Sequence, residues 1–150
     1  VIAAIRLSAA LVLTAAFAVG CSESSSSPTS PTASGGSSAA LTASQIAGTW
    51  TLVSMQVDGQ AIEAAPNGYS LTLGDGQLSS RVDCNTCAGT FTLAGQVLTT
   101  GPALACTRAA CPTMAFESAY TKVLGGQSTV TISGNSLVLS SSRGVLRFTR

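Results

Sequence analysis

The chain predicts an α+β fold that is mostly antiparallel β: a curved, barrel-like sheet of about 7–8 short strands, with one α-helix (about 112–124) inserted before the last three strands. Three observations carry this. Apolar and polar residues alternate over short runs, glycine-containing turns separate those runs, and a single segment carries helical periodicity instead.

Taken in order, Trp50 to Val57 is the first candidate strand. Tyr69, Leu71 and Leu73 alternate with Ser70 and Thr72, and Gly74-Asp75-Gly76 turns the chain into a strand through Leu78 and Val82. Phe91 and Leu93 alternate before Ala94-Gly95, and Val97-Leu98 begins the partner strand. Phe116, Ala119, Tyr120, Val123 and Leu124 then fall at i, i+3, i+4, i+7 and i+8, one apolar stripe on a helix. Pro112 suits its first turn, where a missing N–H costs nothing. Glu117 early and Lys122 late suit the macrodipole, and Gly125-Gly126 offers a left-handed cap. Val130 and Ile132, the Gly134-Asn135 turn, Leu137 and Leu139, and finally Leu146 and Phe148 complete the pattern.

Residues 41–150 form this folded part, and two segments precede it. Residues 1–20 hold an apolar run from Leu7 to Gly20, interrupted by Ser8 and Thr14, with Arg6 as its one charge. That is shorter than a spanning helix and ends in small residues, as a secretory signal does. Ala18-Val19-Gly20-Cys21 resembles the lipobox of bacterial lipoproteins, which implies that Cys21 is diacylated and becomes the mature N-terminus. Two or more acyl chains anchor stably where one does not. Ser22, in place of aspartate, points to the outer membrane, facing the periplasm, in a Gram-negative cell; otherwise the expected address is the outer face of the cell membrane. Residues 21–40 are then the lipidated N-terminus and a Ser/Pro/Gly-rich tether, without a large apolar residue to order it.

The spaced motifs of the folded part resemble the META domain, the family that includes the bacterial heat-shock protein HslJ. Ile46-Ala47-Gly48-Thr49-Trp50-Thr51-Leu52 matches its opening glycine–tryptophan strand. Cys84-Asn85 with Gly89-Thr90-Phe91 matches its cysteine–asparagine segment, with Phe91 where tyrosine is frequent. Thr107-Arg108-Ala109-Ala110-Cys111-Pro112, followed by Met114 and Glu117, matches the lead into the helix, and Gly134 to Leu139 matches the late hairpin. The resemblance spans about 44–149. It implies a compact β domain with one helix, an envelope or secreted location and no catalytic residues. Family members are linked to heat-shock response, antibiotic tolerance and motility.

The family pattern accounts for Cys84 and Cys111, whereas Cys87 and Cys106 are additions. Four cysteines in an exported domain argue for disulfides, with three connectivities open. The nested pattern, Cys84–Cys111 with Cys87–Cys106, is the expected one, because it makes the extra pair a second rung inside the family pair. The crossed pattern, Cys84–Cys106 with Cys87–Cys111, competes with it. Two chemical alternatives stand beside them: a four-thiolate zinc site from Cys-x2-Cys and Cys-x4-Cys, and redox chemistry at Cys84-Asn85-Thr86-Cys87.

Histidine is absent, which removes the commonest general base and any Ser-His-Asp or Cys-His arrangement. A Ser–Lys pair would need Lys122, the one lysine, which reads as a solvated charge. Asp75 and Asp83 are candidates for paired carboxylates across a hairpin, although turn and loop roles suit them better. Arg108 is expected to bond loop carbonyls, pair with Asp83 or contact an anion; Trp50 and Tyr120 are expected in the core. Seven basic and six acidic side chains give no basic surface for nucleic acid. The expectation is therefore a monomeric, non-enzymatic envelope lipoprotein without a cofactor, whose partners are the membrane, through lipid on Cys21, and an unidentified protein or small molecule. The alternative is a small-molecule carrier with a cavity inside the sheet.

Overall fold

The computed structural model describes residues 40–63 and 68–150. The expected signal segment, the expected lipidation site Cys21 and the expected tether as far as residue 39 lie outside the described residues. A short helix, α1 (Ala43–Ile46), leads into β1 (Gly48–Val57). Then follow β2 (Gln60–Glu63), β3 (Tyr69–Gly74), β4 (Gln77–Val82), β5 (Asn85–Ala94), β6 (Val97–Thr100) and β7 (Ala105–Cys106). The helix α2 (Met114–Leu124) precedes β8 (Gln127–Ser133), β9 (Ser136–Ser141) and β10 (Gly144–Thr149).

Eight antiparallel strands run β1-β3-β4-β5-β6-β8-β9-β10, and β10 returns to pair with β1, closing a barrel. Two short strands lie off this ring. β2 pairs with Ser54–Val57 of β1, beyond the stretch that β3 covers, and β7 pairs with Cys87 and Ala88 of β5. Closure removes the exposed edges that an open sheet of this length would present.

Alternation sends one side of each strand inward. Leu71, Leu73, Leu78, Val82, Leu98, Val130, Leu137, Leu139, Leu146 and Phe148 are all buried in one cluster. β1 keeps its inward face by a bulge. Leu52 opposes Phe148 and Ser54 opposes Arg147, so Val53 is the extra residue and lies 55% exposed. The bulge shifts the phase by one, so Met55 rather than Ser54 enters the core. At Gly144 the barrel allows no side chain: an added Cβ would lie 2.0 Å from the Gln56 carbonyl oxygen.

The two ends are closed differently. At the α1 end Ile46 is fully buried, and the Trp50 indole N–H donates to its carbonyl at 2.8 Å. Arg150 lies 4.3 Å over the Trp50 ring and donates to the Ala47 carbonyl. The Leu41 N–H donates to Gly95 O in the β5–β6 turn, so both the first described residues and the C-terminus emerge here. At the other end α2 lays its stripe over the barrel mouth. Tyr120, Val123 and Leu124 are buried, and Tyr120 packs edge-on against Tyr69 and Phe148.

The helix begins two residues later than the sequence suggests, because the Asp83 carboxylate accepts both the N–H and the hydroxyl of Thr113 and holds that residue as the N-cap. At the C-cap Gly125 is extended; the left-handed residue is Gly126, with φ +88°.

Candidate functional site: a cleft beside the second helix

Outside the mouth of the barrel, α2 faces the loop that runs from Thr100 to Cys111, and between them opens a cleft of about 690 Å³. Its walls are positioned from three directions. The single O–H of Thr100 is shared between Leu124 O and Gly126 O at the helix C-terminus, and its oxygen accepts the Gly126 N–H at 2.6 Å. One side chain thereby closes the last turn of α2 and fixes where the loop departs.

Asn85, 2% exposed, does the corresponding work at the other end of the loop. Its amide donates to Ala109 O at 3.0 Å, to Cys111 Sγ and to Glu117 Oε2 at 2.9 Å. Its carbonyl accepts from the Thr107 hydroxyl and the Ala109 N–H, both at 2.8 Å. This buried residue thus ties β5, the loop and the first turn of α2 together, and its full hydrogen-bonding capacity is used. Among the described residues every buried side-chain nitrogen or oxygen has a partner.

Two disulfides complete the frame. Cys84 bonds Cys111 and Cys87 bonds Cys106, the nested arrangement. Cys87 and Cys106 sit directly opposite each other in the β5–β7 pairing. Cys84 and Cys87 therefore bond different partners, so neither a Cys-x-x-Cys dithiol nor a four-thiolate zinc set is present here.

The other candidates separate in space. Asp75 and Asp83 occupy turns at opposite ends of β4, each with positive φ, and do not approach as a carboxylate pair. Asp83 is committed to Thr113, so Arg108 does not pair with it; Arg108 instead lines the cleft, exposed. Lys122 points away from the cleft, half-exposed and 3.8 Å from Asp58. Trp50 and Tyr120 are core. Burial pushes the Tyr120 phenol far above its ordinary pKa despite its bond to Ser80, and burial raises Tyr69 as well. Arg143, which the sequence reading passed over, enters the cleft from the β9–β10 turn and donates to Lys122 O at 2.8 Å. Its position depends on ring closure, which brings β9 and β10 beside the C-terminus of α2.

The family model of the META domain matches residues 40–150, which covers the barrel, both helices and the whole cleft. The chain belongs to the META domain family. Among solved structures, a protein from Burkholderia xenovorans determined by NMR is similar at 25% identity and TM-score 0.59, over 72% of this chain and 85% of that one. A second NMR structure is similar at 23% identity and TM-score 0.58, over 73% and 94%. A DUF4847 family protein from Bacteroides vulgatus shares the fold at 15% identity and TM-score 0.51, over 69% and 92%. No curated protein matches the chain. In this META domain the Cys84-Asn85 segment and the Cys111-Pro112 segment are the two sides of the cleft frame, joined by one disulfide and by Asn85.

Proposed function

We propose that this META domain is a non-catalytic binding module of the bacterial cell envelope, tethered by lipid on Cys21 and presenting the α2 cleft to its ligand. The supporting observation is the polarity of the barrel. Residue 40 emerges at the α1 end, whereas the cleft opens at the opposite end, roughly 20 Å away for six-residue strands at about 3.3 Å per residue. The attachment point of a tether is thus at the end remote from the cleft. Two disulfides favour an oxidising, exported compartment. The binding role, rather than catalysis, is supported by the absence of histidine and by the engagement of Glu117 with Asn85.

A carrier with its ligand inside the sheet is less well supported, because Trp50, Tyr120, Phe148 and the leucines already pack the interior. A ligand belongs in the cleft instead. A role under envelope stress is part of the same proposal, and it predicts that loss of the cleft frame reproduces the phenotype of losing the protein.

The anchoring reading is tested by labelling cells with a radioactive or clickable palmitate and fractionating them. The expected result is labelled protein in the membrane fraction, with label and membrane association both lost in Cys21→Ala. An unlabelled wild-type protein, or a Cys21→Ala variant that stays on the membrane, overturns it.

A further inference from the structure

We propose that the α2 cleft binds a small organic oxyanion, a carboxylate or phosphate group on a short apolar body, with Arg108 and Arg143 as its two cationic contacts. The inference rests on the reading of this domain as a binding module and names its ligand class.

Charge is the first argument. The cleft lining holds two guanidiniums, Arg108 and Arg143, and one carboxylate, Glu117. Glu117 accepts the Asn85 amide. Among the described residues the one ion pair is Lys122–Asp58, and neither of its members lines the cleft. Neither arginine is thus neutralised by a carboxylate, and two like charges share one concavity. An incoming anion gains charge-assisted hydrogen bonds from the guanidinium forks.

Preorganisation is the second. Arg143 uses Nη1 to hold Lys122 O, which leaves other N–H donors of its fork unspent. Its Nη2 lies against Gly126, where any Cβ would come within 2.7 Å. Gly126 is favoured by its left-handed backbone, and a side chain there would have to push the Arg143 guanidinium aside. Arg108 is exposed, but its backbone is held on both sides, since Asn85 bonds the Thr107 hydroxyl and both the N–H and the carbonyl of Ala109. Both cations are thus set on fixed backbone before a ligand arrives, which lowers the ordering cost of binding.

Shape is the third. About 690 Å³ lies within the range of small-molecule sites. Pro102, Leu104 and Met114 line it, and Met114 is 56% exposed despite its size. An apolar body covering Met114 would account for that exposure.

The test uses the protein as cells export and process it, with both disulfides formed, titrated with N-acetylleucine, phenyl phosphate and the neutral N-acetylleucinamide. Binding is read by calorimetry and by amide chemical shifts. The expected result is at least tenfold tighter binding of the anions than of the amide. The shifts should cluster at Ala109, Ala110, Gly125 and Gly126, and affinity should fall with added salt. Arg108→Gln, at an exposed position, should weaken the anions about tenfold with folding unchanged, and Arg143→Gln should weaken them further. The preferred head group separates a carboxylate ligand from a phosphate one. Equal binding of the amide, or anion binding indifferent to Arg108→Gln, overturns the charge argument while leaving a binding cleft. Shifts away from the cleft, or no binding by any probe, overturn the site itself. Lipid labelling of Cys21 is decided independently of all these outcomes.

Discussion

At the α1 end of the barrel, closure is apolar and complete: Ile46 and Trp50 are fully buried, and Arg150 lies over the indole. At the α2 end, Tyr120 and Leu124 give a similar apolar plug, but a second layer lies outside it, built from Asn85, Thr100, Asp83 and two disulfides. The difference is one of material. Apolar side chains stabilise by filling space, and a filled space binds nothing. Directional hydrogen bonds and covalent crosslinks hold a loop at a distance from a helix, and so can keep a concavity open. The stability of the α1 end and the binding capacity of the α2 end should therefore respond to mutation separately.

The largest expected effect lies at the α1 end. Trp50→Ala should cost about 3–5 kcal/mol through lost burial and the cavity left behind. Urea unfolding measures this, and the cleft probes should bind the surviving folded fraction with unchanged affinity. A proportional loss of probe affinity would break the proposed independence of the two ends.

Next come the crosslinks. Replacing Cys84 and Cys111 together by serine opens a loop with a sequence separation of 27 and should cost about 3 kcal/mol in the chain-entropy view. Unlike Trp50→Ala, this change should also loosen the cleft, so that probe affinity falls in the folded protein. Asn85→Ala is expected to cost about 2 kcal/mol, because it strips partners from Thr107, Ala109 and Glu117, some of which water can then reach. Its effect on probe binding should exceed its effect on stability when compared with Trp50→Ala. Hydrogen exchange at Ala109 and Gly126 supplies the local readout: protection at Ala109 should drop while that at Gly126, held by Thr100, persists.

The apolar core was more legible in the sequence than the polar layer around the cleft, for physical reasons. Period-2 alternation at Leu71/Leu73 and Leu137/Leu139, and the helical stripe ending at Val123-Leu124, follow from burial, which writes itself along the chain. Ring closure between β1 and β10 leaves no local mark, since pairing partners about a hundred residues apart share no pattern. The bulge at Val53 breaks the alternation that would have revealed the inward face of β1. β7, at two residues, and α1, at four, are too short for any period to register. Of the cleft, the cysteines, Arg108 and Glu117 stood out by type and spacing. Thr100 and Arg143 did not, because a lone hydroxyl and a turn arginine acquire their roles only when the fold brings them to the C-terminus of α2. Asp83 was noticed for the wrong partner: its carboxylate holds Thr113, the residue just before the helix, and Arg108 lies in the cleft.

The smallest predicted effect tests whether polar chemistry at the α2 end reaches into its apolar plug. The Tyr120 hydroxyl is bonded to Ser80 at 2.9 Å, and Ser80 also donates to the Ser70 carbonyl, so Tyr120→Phe leaves Ser80 with a partner and should cost only about 1 kcal/mol at neutral pH. Alkaline pH reverses the comparison. Burial raises the phenol's pKa in the folded protein, whereas in the unfolded chain it titrates near its ordinary value of about 10. Below that pH both states keep the proton, and this group gives no slope. Above it the unfolded chain alone loses the proton, so stability falls by about 1.4 kcal/mol per pH unit for this one group. Tyr120→Phe removes that contribution and leaves the one from Tyr69, whose pKa is raised as well. The wild-type and variant stability curves should therefore converge and cross near pH 11, about one unit beyond the ordinary phenol value. Trp50→Ala, which removes no titrating group, should run parallel to wild type throughout. Parallel curves for Tyr120→Phe would mean that the phenol ionises within the folded protein, and so that the plug beneath the cleft admits water.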